Sequence, residues 1–279
     1  MSPQCLNENP VAASGLWATT GSLDNASICL SSPVMQAYDD LFAVRGSAYD
    51  RAMQAFPDAR GHEFRQAVER AELATGMVVA DVPAGGGYLQ RYLPAGCDWR
   101  PHEPCGSFTA HHAAPGDPEN GRLLPLPWSD ASIDAAFSLA GVHHIEDKRP
   151  LFAELHRVVR PGGTFLLSDV AAGSPVEYFL DDYVGTNNST GHKGAYLDQT
   201  TLQELAATSW AVELCERVDF SWVFPDEPGM ANFCHQLFDL RRSSPADTAA
   251  AIIERLGVSP VPEGVGMHWS LMTIRARRL

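Results

Sequence analysis

Residues 78–89 read VVADVPAGGGYL, an apolar run that ends in an acid and is soon followed by three consecutive glycines. The segment MVVADV predicts a short strand, and YLQRYL predicts a short helix. Glycines at such a junction lack Cβ atoms, so a ligand can approach the backbone closely. The first N–H groups of a helix also favour an anionic or polar group. By itself the stretch is explained equally well by a tight turn that binds nothing.

Strand-like and helix-like segments alternate from residue 77 onward. This alternation predicts an α/β fold with a doubly wound, mostly parallel sheet covered by helices. The helical segments are PLFAELHRVVR (150–160) and TTLQELAATSW (200–210), with Thr200 or Thr201 as the expected cap. The further strand segments are CDWRPHE (97–103), SIDAAFSLA (132–140), TFLLSDV (164–170), VELCERVDFSWVF (212–224) and HWSLMTIRARR (268–278).

The remaining segments predict additions around one domain. Residues 1–32 are rich in Ser, Asn, Ala and Gly and are interpreted as a flexible arm. Apolar residues at three- and four-residue spacing over 33–76 predict a helical cap. The core domain is expected over 77–279, with two helices (about 226–241 and 245–256) in an insertion at about 225–262 before the last strand.

The composition excludes some partners. The 279 residues contain 20 Lys and Arg against 34 Asp and Glu, a net charge of −14 with His neutral. Such a surface repels phosphate backbones and anionic membranes, which argues against nucleic acid and membrane partners. The six cysteines form no CxxC pair, and no secretory signal is visible, so we expect a reduced, cytoplasmic setting. A homodimer is left open.

An acid stands where a ribose would need one. Glu103 is the last residue of the second predicted strand, some twenty residues after the glycines, and a carboxylate there can accept hydrogen bonds from both ribose hydroxyls. The loop does not match the GxGxxG of dinucleotide folds. With these features the chain resembles the class I S-adenosylmethionine-dependent methyltransferases, small-molecule (type 11) branch. The resemblance covers roughly residues 40–170 and is carried by DVPAGGG (81–87), LPWSDASIDAAFS (126–138) and VHHIEDKRPLFAELHRVVRPGGTFLLSD (142–169).

The resemblance implies S-adenosylmethionine as the cofactor and assigns residues to it. Glu103 would hold the ribose, and Tyr38 or Tyr49, in the N-terminal helices, would close over the cofactor. The other residues implied to contact the cofactor are Asp81, Pro83, Ala84, Gly85 and Gly87 in the loop, Leu124 and Leu126 beside the adenine, and Ala140 and Gly141 toward the substrate.

The sequence departs from the family pattern at two points. Pro83 replaces the first glycine of the motif, and it lacks an N–H and has φ fixed near −65°. Residues 104–123 are also too few, and too rich in Pro, Gly and His, for the helix and strand that the family usually has there. The acid that commonly contacts the adenine is missing, with Arg122 near its place.

Candidate catalytic residues are His143 and His144, after the fourth strand predicted by the family pattern, and His192, on the loop after the fifth. A base is needed only where the acceptor must lose a proton, because a sulfonium methyl is already activated. Plain packing roles for these histidines remain open. No metal is expected, since adjacent histidines such as His111 and His112 or His143 and His144 should point in different directions and no Cys or acid completes a site.

The sequence thus predicts a methyltransferase that acts on a small molecule in metabolic or natural-product chemistry, and it does not specify whether the acceptor atom is O, N, C or S. An Asn/Asp-Pro-Pro-aromatic segment, typical of enzymes that methylate base amino groups, is absent, and SLAGVHH stands there instead. Two alternatives stay open: an enzyme of the same fold that catalyses cyclisation or decarboxylation, and a non-catalytic binding subunit. The aromatic residues Phe220, Trp222, Phe224, Phe233 and Phe238 either line an apolar pocket or belong to the core.

Overall fold

A seven-stranded sheet forms the centre of the molecule. The computed structural model describes residues 38–109 and 122–279. The strands are β1 (Val78–Asp81), β2 (Asp98–Pro101), β3 (Ile133–Leu139), β4 (Val159–Asp169), β5 (Trp210–Phe224), β6 (Val258–Val261) and β7 (Gly264–Arg278). They are ordered β2-β1-β3-β4-β7-β5, and β6 pairs with β7.

Strand directions fit the predicted fold class. β1 is parallel to β2 and β3, and β3 is parallel to β4. β7 is antiparallel to β4, β5 and β6, so it alone runs opposite to the other six described strands. The predicted α/β architecture is confirmed, with its reversed strand being the last one in the chain.

Nine α-helical segments and three irregular turns surround the sheet in the described part of the chain. No described helix is both long enough and apolar enough to cross a membrane. The helices are α1 (Tyr38–Ala55), α2 (Gly61–Arg70), α3 (Gly106–Thr109), α4 (Arg149–Val158), α5 (Pro175–Tyr178), α6 (Gly185–Asn187), α7 (Gln199–Ala207), α8 (Glu227–Leu237) and α9 (Pro245–Arg255). Two 3₁₀ turns (Tyr88–Tyr92 and Val142–His144) and a π-helix (Phe179–Val184) complete them.

Helices cover both faces of the sheet. Successive residues of a strand point to opposite faces, so a single strand can contribute apolar side chains to a core on each side. In β4, Leu166 belongs to one buried apolar cluster, and its neighbours Phe165 and Leu167 belong to another. The first cluster takes in residues of α1, α2, α8 and α9, and the second takes in residues of α4 and α7. This two-sided core is what the predicted doubly wound arrangement requires.

Several local expectations differ from the structure. Helix α7 is capped by Asp198, not by Thr200 or Thr201, and Thr201 returns the hydrogen bond of a capping box. Asp198 fits this role because its short carboxylate accepts from the backbone N–H groups of the first turn. The short helix predicted for YLQRYL is present as a 3₁₀ helix. The insertion before the last strand is not wholly helical, because β6 forms a hairpin with β7.

Other expectations fall partly outside the described residues. The arm predicted over 1–32 and the first residues of the cap predicted over 33–76 lie there, as do His111 and His112. Between β2 and β3 the described residues contain the four-residue helix α3 and no strand. The described residues between β2 and β3 therefore lack the strand that the family usually has there.

A buried ion pair joins α2 to the sheet. Arg60 donates from Nε to Glu63 at 2.9 Å, and the two side chains also pair through Nη2. The indole of Trp222 on β5 donates to the same carboxylate at 2.8 Å. Arg60 also lies over the rings of Tyr49 and Trp222 and donates to the Tyr49 hydroxyl. Glu63 is fully buried, and as the counter-ion of Arg60 it offsets the cost of burying the guanidinium.

Replacing this counter-ion should be far more costly than replacing an exposed one. Glu63→Gln keeps the shape but leaves the Arg60 charge buried without an anion, so we expect it to lower the free energy of unfolding by about 3–5 kcal/mol. The matched control is Asp58→Asn, which removes an exposed pair with Arg91 and should cost under ~1 kcal/mol. Urea unfolding of both variants measures the difference, and equal losses would contradict the assignment.

Candidate functional site

The glycine loop lies at the carboxyl end of β1 and borders a cavity. Gly85 and Gly87 have φ angles of +53° and +72°, in the left-handed region that favours glycine. A Cβ on Gly85 would meet no atom within 4 Å, so this stretch of backbone is open to a ligand. Pro83 packs beside Gly141, where a Cβ would come within 2.9 Å of the proline ring. The proline therefore fills space against the loop that follows β3.

Glu103 lies two residues after β2, beside the glycine loop. Its Oε2 accepts hydrogen bonds from the backbone N–H of Gly85 at 2.7 Å and from the hydroxyl of Tyr38 at 2.8 Å. Its Oε1 accepts from the N–H of Cys105 at 2.8 Å. Burial raises the pKa of Glu103, while these hydrogen bonds act in the opposite direction. Tyr38, on α1, thus covers the acid across the mouth of the loop.

Asp81 places a second carboxyl against the same cavity. It is 2% exposed, and the Trp99 indole lies 3.4 Å from its Oδ2. Burial raises the pKa of Asp81 well above its usual range, and the charge of nearby Glu103 adds to the effect. Arg60 also lines the cavity, but Glu63 already neutralises it. The cavity therefore suits a ligand that brings positive charge.

The predicted cofactor residues divide into two groups. Tyr38, Asp81, Pro83, Ala84, Gly85, Ala140 and Gly141 line this first cavity. Glu103 lies beside it because it is hydrogen-bonded to Gly85, and Gly87 lies beside it as part of the same loop. Leu126 instead belongs to the buried cluster on the α4 and α7 face, and Leu124 packs against that cluster. A contact of these two leucines with a ligand in the first cavity stays a prediction.

The three predicted histidines come together at a second cavity. The 3₁₀ turn after β3 brings the ring centroids of His143 and His144 within 4.0 Å. His192 lies 5.6 and 5.3 Å from them. The expectation that adjacent histidines point in different directions was wrong for this pair, because the tight turn places both rings on one side. One ring nitrogen from each histidine lies within 4.8 Å of those of the other two, close enough to hold a metal ion. The absence of a metal stays a prediction.

Carboxylates orient two of these rings. Asp169, at the end of β4, accepts from the Nδ1 and the backbone N–H of His143 at 2.7 and 3.1 Å. Asp181, in the π-helix, lies 3.2 Å from Nδ1 of His192 and accepts from the Tyr196 hydroxyl at 2.6 Å. In each ring Nδ1 faces the carboxylate, so Nε2 is the nitrogen left for other contacts. Irregular helices such as this π-helix are frequent at functional sites.

Burial keeps two of the imidazoles neutral. It lowers the pKa of His144 well below the usual range, and the neighbouring His143 lowers it further. It also lowers the pKa of His192 to about 4, although Asp181 opposes the shift. Neutral imidazoles can accept protons at neutral pH.

The second cavity adjoins the first. Phe42, Tyr49, Arg60 and Ala140 border both. Its wall includes Trp222 and Trp269, which stack with ring centroids 4.3 Å apart, and Phe238, which stacks beside them.

The predicted aromatic set splits between pocket and core. Trp222 and Phe238 line the second cavity, whereas Phe224 and Phe233 are fully buried in the core. Phe220 borders a separate groove on β5. Sequence reasoning missed Trp269 in the cavity wall, together with Phe42 and Arg45 of α1. The spacing of Tyr38, Phe42, Arg45 and Tyr49 along one helical face is the signal that would have found the α1 residues.

The pH dependence of protein stability should reveal that His192 is neutral in the folded protein. Its pKa in the folded protein lies below the ordinary value of about 6.5, so its contribution is complete above pH ~6.5 and is lost as the pH falls toward 4. Urea unfolding across this range measures how the free energy of unfolding changes with pH. This slope should be smaller for His192→Asn than for the wild type, by up to about 1.4 kcal/mol per pH unit. The exposed control His62→Asn should keep the wild-type slope. Equal slopes in the two variants would contradict the prediction.

Known proteins resemble this chain in sequence and in fold. A malonyl-[acyl-carrier protein] O-methyltransferase of Serratia marcescens is 40% identical over 98 residues, which make up 35% of this chain and 36% of that protein. The uncharacterized methyltransferase YcgJ of Bacillus subtilis is 25% identical over 207 residues, covering 71% of this chain and 78% of the relative. The first relatives are matched over only about a third to a half of their own length.

Solved structures agree with the described fold. The crystal structure of YcgJ has a TM-score of 0.52 at 14% identity and covers 78% of this chain and 98% of its own. That of the [4+2]-cyclase SpnF has a TM-score of 0.53 at 19% identity and covers 87% and 97%. At these identities the likeness shows the fold alone.

The family match falls on the part of the chain that builds the site. Residues 80–167 match the family model described as a methyltransferase domain. These residues include the glycine loop, Glu103, the histidine turn and most of β4. The strand order, the loop after β1 and the acid after β2 are all consistent with that match. Residues 80–167 therefore match a methyltransferase domain of the class I, type 11-like kind, and the fold of the described chain agrees with that match.

Proposed function

We propose that this protein transfers the methyl group of S-adenosylmethionine to a small molecule. The observation that carries the proposal is the direct contact of two cavities: an acid-lined one at the glycine loop and a histidine- and aromatic-lined one beside it. Ala140 borders both, so a cofactor in the first would lie next to an acceptor in the second. The enclosed apolar wall and the net charge of −14 favour a small molecule over nucleic acid.

The residues of the first cavity fit the cofactor chemically. S-adenosylmethionine carries an ammonium and a sulfonium, and Asp81 supplies a buried carboxyl that lacks a cation partner among the described residues. Glu103 would accept from the ribose hydroxyls. A carboxylate has about four acceptor sites, and three hydrogen bonds already reach Glu103. The Tyr38 hydroxyl therefore has to release or share this acid when the ribose binds.

The second cavity supplies the groups that the transfer needs. The bound cofactor brings an already activated methyl group, so catalysis consists largely of holding the acceptor atom in line with it. Where the acceptor carries a proton, neutral His144 and His192 each have a ring nitrogen that can take it, as weak bases because burial lowers the pKa of both. Asp169 fixes the orientation of His143 through Nδ1, which directs Nε2 away from this carboxylate. We propose catalytic or orienting roles for these three histidines.

The fold leaves the reaction itself open to test. SpnF shares the architecture and is described as a [4+2]-cyclase, so the alternative of a non-methyl-transfer reaction is kept. A reduced cytoplasmic setting is consistent with the four described cysteines, none of which forms a disulfide. We further propose that α1 and α2 act as the cap over both cavities, since residues of both helices or of the turn between them line each cavity.

Cofactor binding should depend on Glu103. Glu103→Gln keeps the size of the side chain but removes the charge that strengthens hydrogen bonds to ribose, so S-adenosylmethionine affinity should fall about 10- to 100-fold. Isothermal titration calorimetry measures it. Glu254→Gln, at an exposed position on α9, is the control and should bind like the wild type. Failure of the wild type itself to bind would overturn the proposed function.

Methyl transfer is tested with cofactor labelled in its methyl group and a small-molecule fraction of a cell extract. We expect label in an organic product with the wild type and at least about tenfold less with Glu103→Gln at subsaturating cofactor. The same fraction without protein is the control. Cofactor binding without label in any product would support the alternative of cyclisation or decarboxylation.

A further inference from the structure

The second cavity contains a buried cation that no described acid neutralises directly. Arg45 on α1 is 5% exposed and lines this cavity. Its Nη2 donates to the carbonyl of Phe238 at 3.3 Å, but its Nε and Nη1 have no hydrogen-bond partner in the described part of the chain. A buried guanidinium with two unpartnered nitrogens is costly, because polar groups lose their water on burial.

The neighbouring charges do not remove this excess. Among the described residues that line the cavity there is no Asp or Glu. Asp239 lies close enough to favour the charged form of Arg45, but its oxygens accept from Ser189 and pair with Arg241. The other arginine of the cavity, Arg60, is paired with Glu63.

The titratable groups around Arg45 leave it as the fixed charge of the cavity. Burial lowers the pKa of Arg45 to about 10, so it remains cationic at neutral pH. The nearby His144 and His192 are neutral there, because burial lowers the pKa of both. Arg45 is therefore a cation without a directly paired acid among the described residues, and it lies beside an apolar, aromatic wall.

We propose that Arg45 is the anchor for a carboxylate on a flat, apolar substrate. The unpartnered Nε and Nη1 can each donate a charge-assisted hydrogen bond to a carboxylate, which would also neutralise the guanidinium. The stacked rings of Trp222 and Trp269 supply an apolar face for the rest of the molecule. This inference names the substrate class of the proposed acceptor site and therefore rests on the proposed function.

Matched ligand pairs test the anchor without knowledge of the natural substrate. 2-Naphthoic acid and 2-naphthamide, and indole-3-acetic acid and indole-3-acetamide, differ within each pair only in the charged group. Calorimetry on the full chain saturated with S-adenosylhomocysteine should show each acid binding about 10- to 100-fold more tightly than its amide. Equal binding within both pairs, or no binding by either acid, would overturn the proposal.

Variants assign the preference to Arg45. Arg45→Met keeps the length of the side chain and should abolish the preference for acids, whereas Arg45→Lys should retain part of it. Arg217→Met, at an exposed position on β5 outside the histidine-lined cavity, should leave it unchanged. A preference that persists in Arg45→Met would contradict the assignment. Since Arg45→Met removes an unpaired buried charge, it should fold, and Arg45→Gln serves if it does not.

Failure of this inference is distinguishable from failure of the proposed function. If the protein binds S-adenosylmethionine and transfers its methyl group but treats acid and amide alike, only the carboxylate anchor is wrong. If acids are preferred through Arg45 but no methyl group is transferred, the anchor stands and the proposed reaction is wrong.

Discussion

The parallel strands of this sheet end at one edge, and the position of almost every candidate group depends on that constraint. Asp81 ends β1, Glu103 follows β2, and Asp169 ends β4. Ala140 and the histidine turn follow β3, so they lie between the loop of β1 and the acid of β4. Residues far apart in the chain thus share two adjoining cavities, because the register of the sheet brings strand ends together.

The two cavities differ in charge, and one buried ion pair stands between them. The first is lined by the carboxyl of Asp81, with Glu103 beside it, and burial raises the pKa of both, whereas the second contains the cation Arg45. Arg60 borders both but is neutralised by Glu63, which also accepts a hydrogen bond from the indole of Trp222. A cationic cofactor and an anionic acceptor would each meet a complementary charge, with little repulsion across the boundary.

Much of the fold could be predicted from the sequence, because its signals are local. The apolar runs of β1, β3 and β4 and the glycines after β1 are properties of neighbouring residues, and the structure contains them. The cap of α7 was misplaced by two residues, since Asp, Ser and Thr are all good caps and only the backbone geometry at Asp198 distinguishes them. The hairpin of β6 and β7 was missed, because a four-residue strand carries little periodicity.

The candidate site was predictable only in part. The glycine loop, Glu103 and the three histidines were found by pattern and resemblance, but the sequence did not show that all three rings meet. Arg45 was missed, since its isolation depends on residues more than ninety positions away, such as His143 and Phe238. The sequence by itself determined the alternation of elements and the bare loop, because periodicity and glycine act through the nearest neighbours. Only the tertiary structure decided which charges are paired and which are left exposed to a ligand, because pairing and burial depend on distances between remote segments.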